Sequence, residues 1–297
     1  MVYNKATEKQ GGAAASCRRQ RILALLEQGG GWCSGEAISL ELGISRAAVA
    51  KHVACLRAEG HGIESSPRRG YRLAVKADAL TGERVAPLLA TRVVGRQAWR
   101  CLESTTTTNR EAIVWAAEGA ASGCVVIAEH QTEGRGKKGR RWFSAPRGIH
   151  CSVIVRGRFD AGVRPLLTTV GTVAVAEAIG RCTALSPVVK YPNDVLVNGR
   201  KVCGVLVEFG LIDEEVDWAI VGMGCNVNAT TADFPEELRH VTSSLFIEGG
   251  VPVARPELLA VILERTEHWC DALLDKACDG LLARWEELGG GPLPVPC

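Results

Sequence analysis

Apolar positions fall into two regimes along this chain. Near the N-terminus they recur every three or four residues: Ile22, Leu23, Leu25 and Leu26 predict one helix. Ser34 is the N-cap of a second, carrying Ala37, Ile38 and Leu40 on its apolar side and ended by Gly43. Ser45 then caps a third, Arg46 to Arg57, with Val49, Val53 and Leu56 facing inward. Gly62 to Leu73 reads as two short strands about a Pro/Arg/Gly turn. After a connector from Ala74 to Gly82, the hydroxyl-rich run Ser104 to Asn109 precedes a helix from Arg110 to about Ala120, with Thr108 or Asn109 as its cap. From Cys124 onward the apolar residues come as short unbroken runs, which predict buried strands. These are Cys124 to Ala128, the two runs flanking Asn198-Gly199, and one from about Trp218 into Gly222.

Asn-Gly is a strong type I′ hairpin signal, so Lys201 should open a returning strand and Asp194 should lie near the start of the outgoing one. Length and a 46% hydrophobic content predict a two-domain protein with a real core. No apolar run approaches the ~18 residues of a membrane span, and the first residues do not read as a signal peptide, so a cytoplasmic protein with no membrane partner is expected. The twelve cysteines contain no C-x-x-C pair, which predicts reduced, mostly buried thiols rather than a metal site or a disulfide framework. Residues 1–16 read as a disordered leader.

The net charge of +2 conceals an asymmetry, because Lys and Arg are in excess up to about Arg72. Arg46, Lys51 and His52 fall on the outward side of the third helix, and Arg68 and Arg69 in the turn between the two strands. A helix, a short turn, a second helix with outward cations and a basic wing together predict a winged helix-turn-helix that binds DNA over residues 17–75. A small helical dimerisation module would not need cations on both helix and wing.

The chemistry begins at Gly134-Arg135-Gly136-Lys137-Lys138-Gly139-Arg140-Arg141-Trp142, too polar for a core and well suited to an anion: glycines admit close backbone approach while the cations neutralise phosphate or carboxylate. The segment spells G-x-G-x-x-G, but Arg140 to Pro146 is not an apolar-periodic helix, so a Rossmann pyrophosphate site is excluded. Two more segments join it: Lys190 to Glu208, and Gly222-Met223-Gly224-Cys225-Asn226 at a strand end.

Together the three segments resemble the biotin protein ligase family, of the bifunctional biotin operon repressor type, from the N-terminal module to about Leu288. The resemblance implies an α/β (α+β) fold, a winged helix-turn-helix followed by a mixed-sheet catalytic domain over residues 83–288. It implies formation of biotinyl-5′-AMP from biotin and ATP, with Mg²⁺ accompanying the phosphates, and transfer of biotin to a lysine of a biotin carboxyl carrier protein. It also implies repression at an operator DNA by a homodimer of the adenylate-loaded protein. Catalytic roles fall on Lys201, Arg135 and Asp194. Biotin contacts fall on Thr107, Thr108, Asn109, Gln131, Arg135, Gly136, Lys137, Lys201 and Gly204, with Ser104-Thr105 as a rival register for the hydroxyl run. ATP contacts fall on Lys138, Arg140, Asn193 and Asn226, and DNA contacts on Arg46, Lys51, His52, Arg68 and Arg69.

This sequence departs from the family pattern in Thr107, where serine is usual, and in Tyr191, where tryptophan is usual. The family's SH3-like barrel is expected to be missing, since a Gly/Pro-rich tail occupies residues 289–297. Two alternatives stay open: a lipoate or octanoate transferase on the same catalytic fold, and a transcription factor whose second domain only senses a ligand.

Overall fold

The computed structural model describes residues 18–19, 21–27, 31–58, 61–75, 78–159, 164–212 and 215–293. The expected leader and the last four residues of the Gly/Pro tail lie outside them. The chain divides into two compact units, Met1–Ala79 and Leu80–Cys297.

In the first unit, helix α1 (21–27) precedes α2 (Gly35–Leu42) and α3 (Arg46–Ala58). Ser34 Oγ accepts from Ala37 N at 3.0 Å and Ser45 Oγ from Ala48 N at 3.2 Å, so both predicted caps bond orphan amides of the first turn. Gly43 ends α2 in the left-handed conformation, φ 61°. Ile22, Leu26, Ile38, Val49, Val53, Leu56 and Ile63 form the core. Leu40, expected on the apolar side, is instead 79% exposed. Two residues beyond Ile38 is about 200° around the helix, which turns Leu40 away from the core. Strands β1 (Gly62–Ser66) and β2 (Gly70–Val75) pair antiparallel as the wing. Cys33 and Tyr71 exchange both backbone hydrogen bonds at 2.8 Å, joining the wing to the start of α2.

The second unit is a mixed seven-stranded sheet. After the short helix α4 (Gly82–Val85), the elements are β3 (Trp99–Thr105), α5 (Thr108–Ala117), β4 (Val125–Gln131), β5 (Ile149–Phe159), α6 (Arg164–Cys182), β6 (Val188–Lys190), β7 (Asp194–Val197), β8 (Arg200–Ile212) and β9 (Glu215–Cys225), then α7 (Leu245–Gly249), α8 (Arg255–Leu274) and α9 (Asp279–Glu287). The strand order is β3-β4-β5-β9-β8-β7-β6. Only β3 and β4 are parallel; the other neighbours are antiparallel.

Burial on both faces explains the unbroken apolar runs. Val125, Ile127, Val153, Ala219 and Val221 point into a core shared with α6 and α8, while Val126, Ile154 and Ile220 meet Ala112 and Ala116 of α5 on the other face. The predicted Asn198-Gly199 turn joins β7 to β8 with φ of 50° and 77°, both left-handed as a type I′ turn requires.

Candidate functional site

A cleft of about 340 Å³ opens on the α5 side of the sheet, lined by the basic loop, the start of α5, the 190–194 segment and the glycine-bearing parts of β8 and β9. Its floor is Gly204 and Gly224, register partners on β8 and β9. The indole of Trp142 lies on this floor: a Cβ at Gly224 would stand 2.7 Å from its ring, and one at Gly204 3.1 Å. Trp142 Nε1 is buried without a hydrogen-bond partner. Trp142 closes the basic segment that points to the site, although the sequence assigns it no ligand contact of its own.

Lys201 Nζ stands 2.5 Å from Asp194 Oδ1 and 5.5 Å from the centroid of the Trp142 ring. Lys201 and Gly204 are three apart and would face opposite sides of a regular strand. The β7 to β8 register slips by one residue, from Val195↔Cys203 to Leu196↔Lys201, so that Val202 is an extra residue in β8. This bulge turns the lysine to the cleft side. Its backbone is held from outside the hairpin: Lys201 N donates to Val241 O and Ser243 N to Lys201 O, both at 2.9 Å.

At the start of α5 the cap is Thr107, not Thr108 or Asn109. Its backbone is extended (φ −150°, ψ 145°) and its Oγ1 accepts from Arg110 N at 3.0 Å, which makes Thr108 and Asn109 the first helical residues. Ser104 and Thr105 end β3 and do not line the cleft, whereas Thr107, Thr108 and Asn109 do. Gln131 Oε1 accepts from Thr108 N at 2.8 Å. That bond fixes the amide orientation, leaving Nε2 as the donor available to the cleft. Thr107 Oγ1, an acceptor in the cap, retains its own proton. The cleft end at α5 therefore offers a hydroxyl and an amide donor.

Behind Gln131, Ser144 Oγ accepts from Gln131 N at 3.0 Å and lies 2.8 Å from His150 Nε2. Burial pushes the His150 imidazole down to about 4, so it is neutral at physiological pH.

Arg135, Gly136, Lys137, Lys138 and Arg140 all line the cleft. The loop closes on itself through Gly136 N to Arg140 O at 2.7 Å and Trp142 N to Gly134 O at 2.8 Å. The bridge between Arg135 and Arg141 sets two like charges side by side, an arrangement that an anion relieves. Asn193 also lines the cleft, its Nδ2 donating to Val205 O at 2.7 Å. Asn226 does not line it: the residue is 1% exposed, with Nδ2 donating to Ser243 O at 3.0 Å and N to Val202 O at 2.8 Å, where it braces the bulge and the 241–243 strap.

In the first unit, Arg46, Lys51, Arg68 and Arg69 are exposed, and Arg69 stacks 5.3 Å over Trp32. His52, expected to point outward, is half-buried, and burial followed by the charges of Arg19, Arg18 and Lys51 lowers its pKa. Its place beside Val53 on the inward flank of α3 is the reason.

A helix-turn-helix unit followed by a mixed sheet bearing a cationic, glycine-floored cleft defines a ligase class with a nucleic-acid-binding module. Residues 98–226 match the Biotin/lipoate A/B protein ligase family and residues 18–72 an HTH domain. The bifunctional ligase/repressor BirA of Bacillus spizizenii is 36% identical over 250 residues, 84% of this chain and 77% of that protein. The Escherichia coli protein of the same name is 29% identical, over 90% of this chain and 81% of its own. The biotin protein ligase of Aquifex aeolicus, solved with biotin and ATP, superimposes with a TM-score of 0.54 at 27% identity, covering 63% of this chain and 76% of that one. The chain belongs to the bifunctional biotin ligase/repressor family.

Proposed function

We propose that this protein is an ATP-dependent biotin protein ligase that is also a DNA-binding repressor of biotin genes. The observation that carries the enzymatic reading is the Lys201–Asp194 pair at 2.5 Å, set beside the Trp142 seat and faced by the cationic loop. Bringing a carboxylate onto the α-phosphorus of ATP sets one anion against another, so preorganised cations are the main catalytic need. In the first step a biotin carboxylate oxygen forms a bond to the α-phosphorus and pyrophosphate leaves; Mg²⁺ enters with ATP as part of that substrate. Lys201, compact and centrally placed, bridges carboxylate and phosphate, and Arg135, Lys137, Lys138 and Arg140 meet the polyphosphate. The Thr107 hydroxyl and Gln131 Nε2 suit the ureido carbonyl of biotin, which accepts hydrogen bonds. Trp142 offers a flat face for the adenine.

In the second step the amine of a carrier-protein lysine attacks the carbonyl carbon of the anhydride and AMP leaves. Asp194, once Lys201 turns to the adenylate, receives the incoming ammonium and assists its loss of a proton. Residues 18–72 read operator DNA through Arg46, Lys51, Arg68 and Arg69. A homodimer of the adenylate-loaded form would pair along β8 beyond Val205, because β7 meets β8 only from Arg200 to Gly204 and Asn193 bonds both backbone groups of Val205. Among the described residues no helix is long and apolar enough to cross a membrane; we place the protein in the cytoplasm.

Incubation with ATP and biotin, followed by mass analysis for the adenylate and by biotin-dependent exchange of pyrophosphate into ATP, tests the enzymatic reading. Exchange that requires lipoate and ignores biotin overturns it.

A further inference from the structure

Asn109 enters the cleft lining, yet its amide is already bonded to protein. Nδ2 has two protons; they go to Leu206 O at 3.2 Å and Glu208 Oε2 at 2.7 Å. Oδ1 lies 2.7 Å from Ser152 Oγ, a hydroxyl that is itself fully buried and also 2.8 Å from Thr108 Oγ1. No donor on Asn109 is left for a ligand. The side chain lies flat on β9, where Gly222 makes room: a Cβ there would be 1.9 Å from Asn109 Oδ1. One amide thus ties the first turn of α5 to β5 through Ser152 and to β8 through Glu208, crossing β9 at Gly222.

We propose that Ser152 and Glu208 are positioning residues for biotin, acting through Asn109 to fix the Thr107–Thr108 turn, in which Thr108 Oγ1 is held by Gln131 and Ser152 and Thr107 lines the cleft with its cap hydroxyl. The proposal rests on the biotin ligase reading of that cleft. The turn is the first of a ten-residue helix, and its cap hydroxyl must be placed to within a fraction of an ångström to bond a ligand. Propensity alone does not hold a short helix in register; the amide clamp does. Glu208 serves as an acceptor here, so its charge is not the essential property, and a glutamine oxygen can replace the carboxylate oxygen.

The test is steady-state pyrophosphate exchange by the full-length protein. Biotin is titrated at saturating ATP, and ATP at saturating biotin, for the wild type, E208L, E208Q, S152A and G222A. E208L leaves a buried amide proton unpaired, and its biotin KM should rise about 10- to 100-fold, with kcat and the ATP KM within about 2-fold of wild type. S152A should raise the biotin KM by about 5- to 10-fold. G222A, which pushes the amide off β9, should resemble E208L, while E208Q should remain within about 3-fold of wild type. KM is read on the folded fraction, so partial loss of folding does not alter the KM comparison, and kcat is taken per folded enzyme; S152A, which removes one oxygen and adds no bulk, decides the matter if larger changes prevent folding. The proposal is overturned if S152A leaves the biotin KM unchanged, if ATP and biotin KM rise together, or if E208Q is as impaired as E208L, because the carboxylate would then meet the ligand itself. A wild type that performs no biotin-dependent exchange rejects the ligase reading instead.

Discussion

Lys201 and Gly204 face one another across a β-bulge: a Cβ built at Gly204 would stand 3.2 Å from Lys201 Nζ, although three residues separate them on β8. The same Cβ would meet Trp142 at 3.1 Å, so a single glycine leaves room for both the ammonium and the indole. Gly204→Ala should therefore lower kcat/KM for adenylation by about 10-fold with little change in thermal stability, since the neighbours can shift by a few tenths of an ångström. Gly224→Ala, with 2.7 Å to the ring, should lower it by about 100-fold. Exchange kinetics alongside melting curves check both; equal losses in the two variants would remove the ring seat from the explanation.

The Lys201–Asp194 pair should separate the two half-reactions. Lys201→Ala removes the cation proposed to bridge carboxylate and phosphate and should lower adenylate formation by about 10²- to 10³-fold. Asp194→Asn should leave adenylate formation within about 10-fold and slow transfer to a carrier lysine by more than that, so that adenylate accumulates. Single-turnover assays with preformed biotinyl-5′-AMP distinguish the steps.

Lys137 lines the cleft from the exposed loop. Removing its charge should loosen the pocket's hold on the mixed anhydride more than it slows synthesis. Lys137→Gly should still make adenylate and release it early, labelling lysines of added albumin. Clean carrier labelling in both wild type and variant would leave retention to Arg135 and Lys201.

His150 links site architecture to pH. Its folded pKa of about 4 lies below the ordinary 6.5, so the unfolded chain binds the additional proton. The contribution is fully present above pH 6.5 and is lost as pH falls toward 4, about 3 kcal/mol in all at the level of order of magnitude. Denaturant unfolding of the wild type should weaken more steeply across that window than His150→Gln, and parallel slopes would contradict it.

DNA binding should weaken steeply with salt, because each neutralised phosphate releases about one counterion. If Arg46 and Arg69 contact phosphate, Arg46→Ala and Arg69→Ala should each reduce the log–log salt slope by about 0.9. Gel-shift titrations from low to moderate salt measure it.

Much of this was legible because its causes are local. Ser34 and Ser45 announce α2 and α3, Asn198-Gly199 announces the hairpin and therefore the proximity of Lys201 to Asp194, and the loop's glycines and cations announce an anion site. The rest depends on neighbours distant in sequence. The bulge at Val202 comes with backbone bonds from Lys201 to Val241 and Ser243, some forty residues away, and nothing around Val202 signals them. Asn109 reads as a ligand contact by position, but Ser152, Leu206 and Glu208 use its bonds. Trp142 needed a floor to lie on, and that floor is two glycines on different strands. Leu40 shows the converse, an apolar residue in a helix with no core beneath it.

The double hydrogen bond between Cys33 and Tyr71 has a bearing on helical phase. It locks the wing to the segment that starts α2, so if α3 meets bases and Arg68 and Arg69 meet phosphates, as proposed, the two are met at one fixed spacing. Each base pair inserted between those two patches would rotate them apart by about 34°, since B-DNA turns once in about 10.5 base pairs. A tethered wing cannot follow that rotation, and a half-site lengthened by a single base pair should lose one set of contacts or the other.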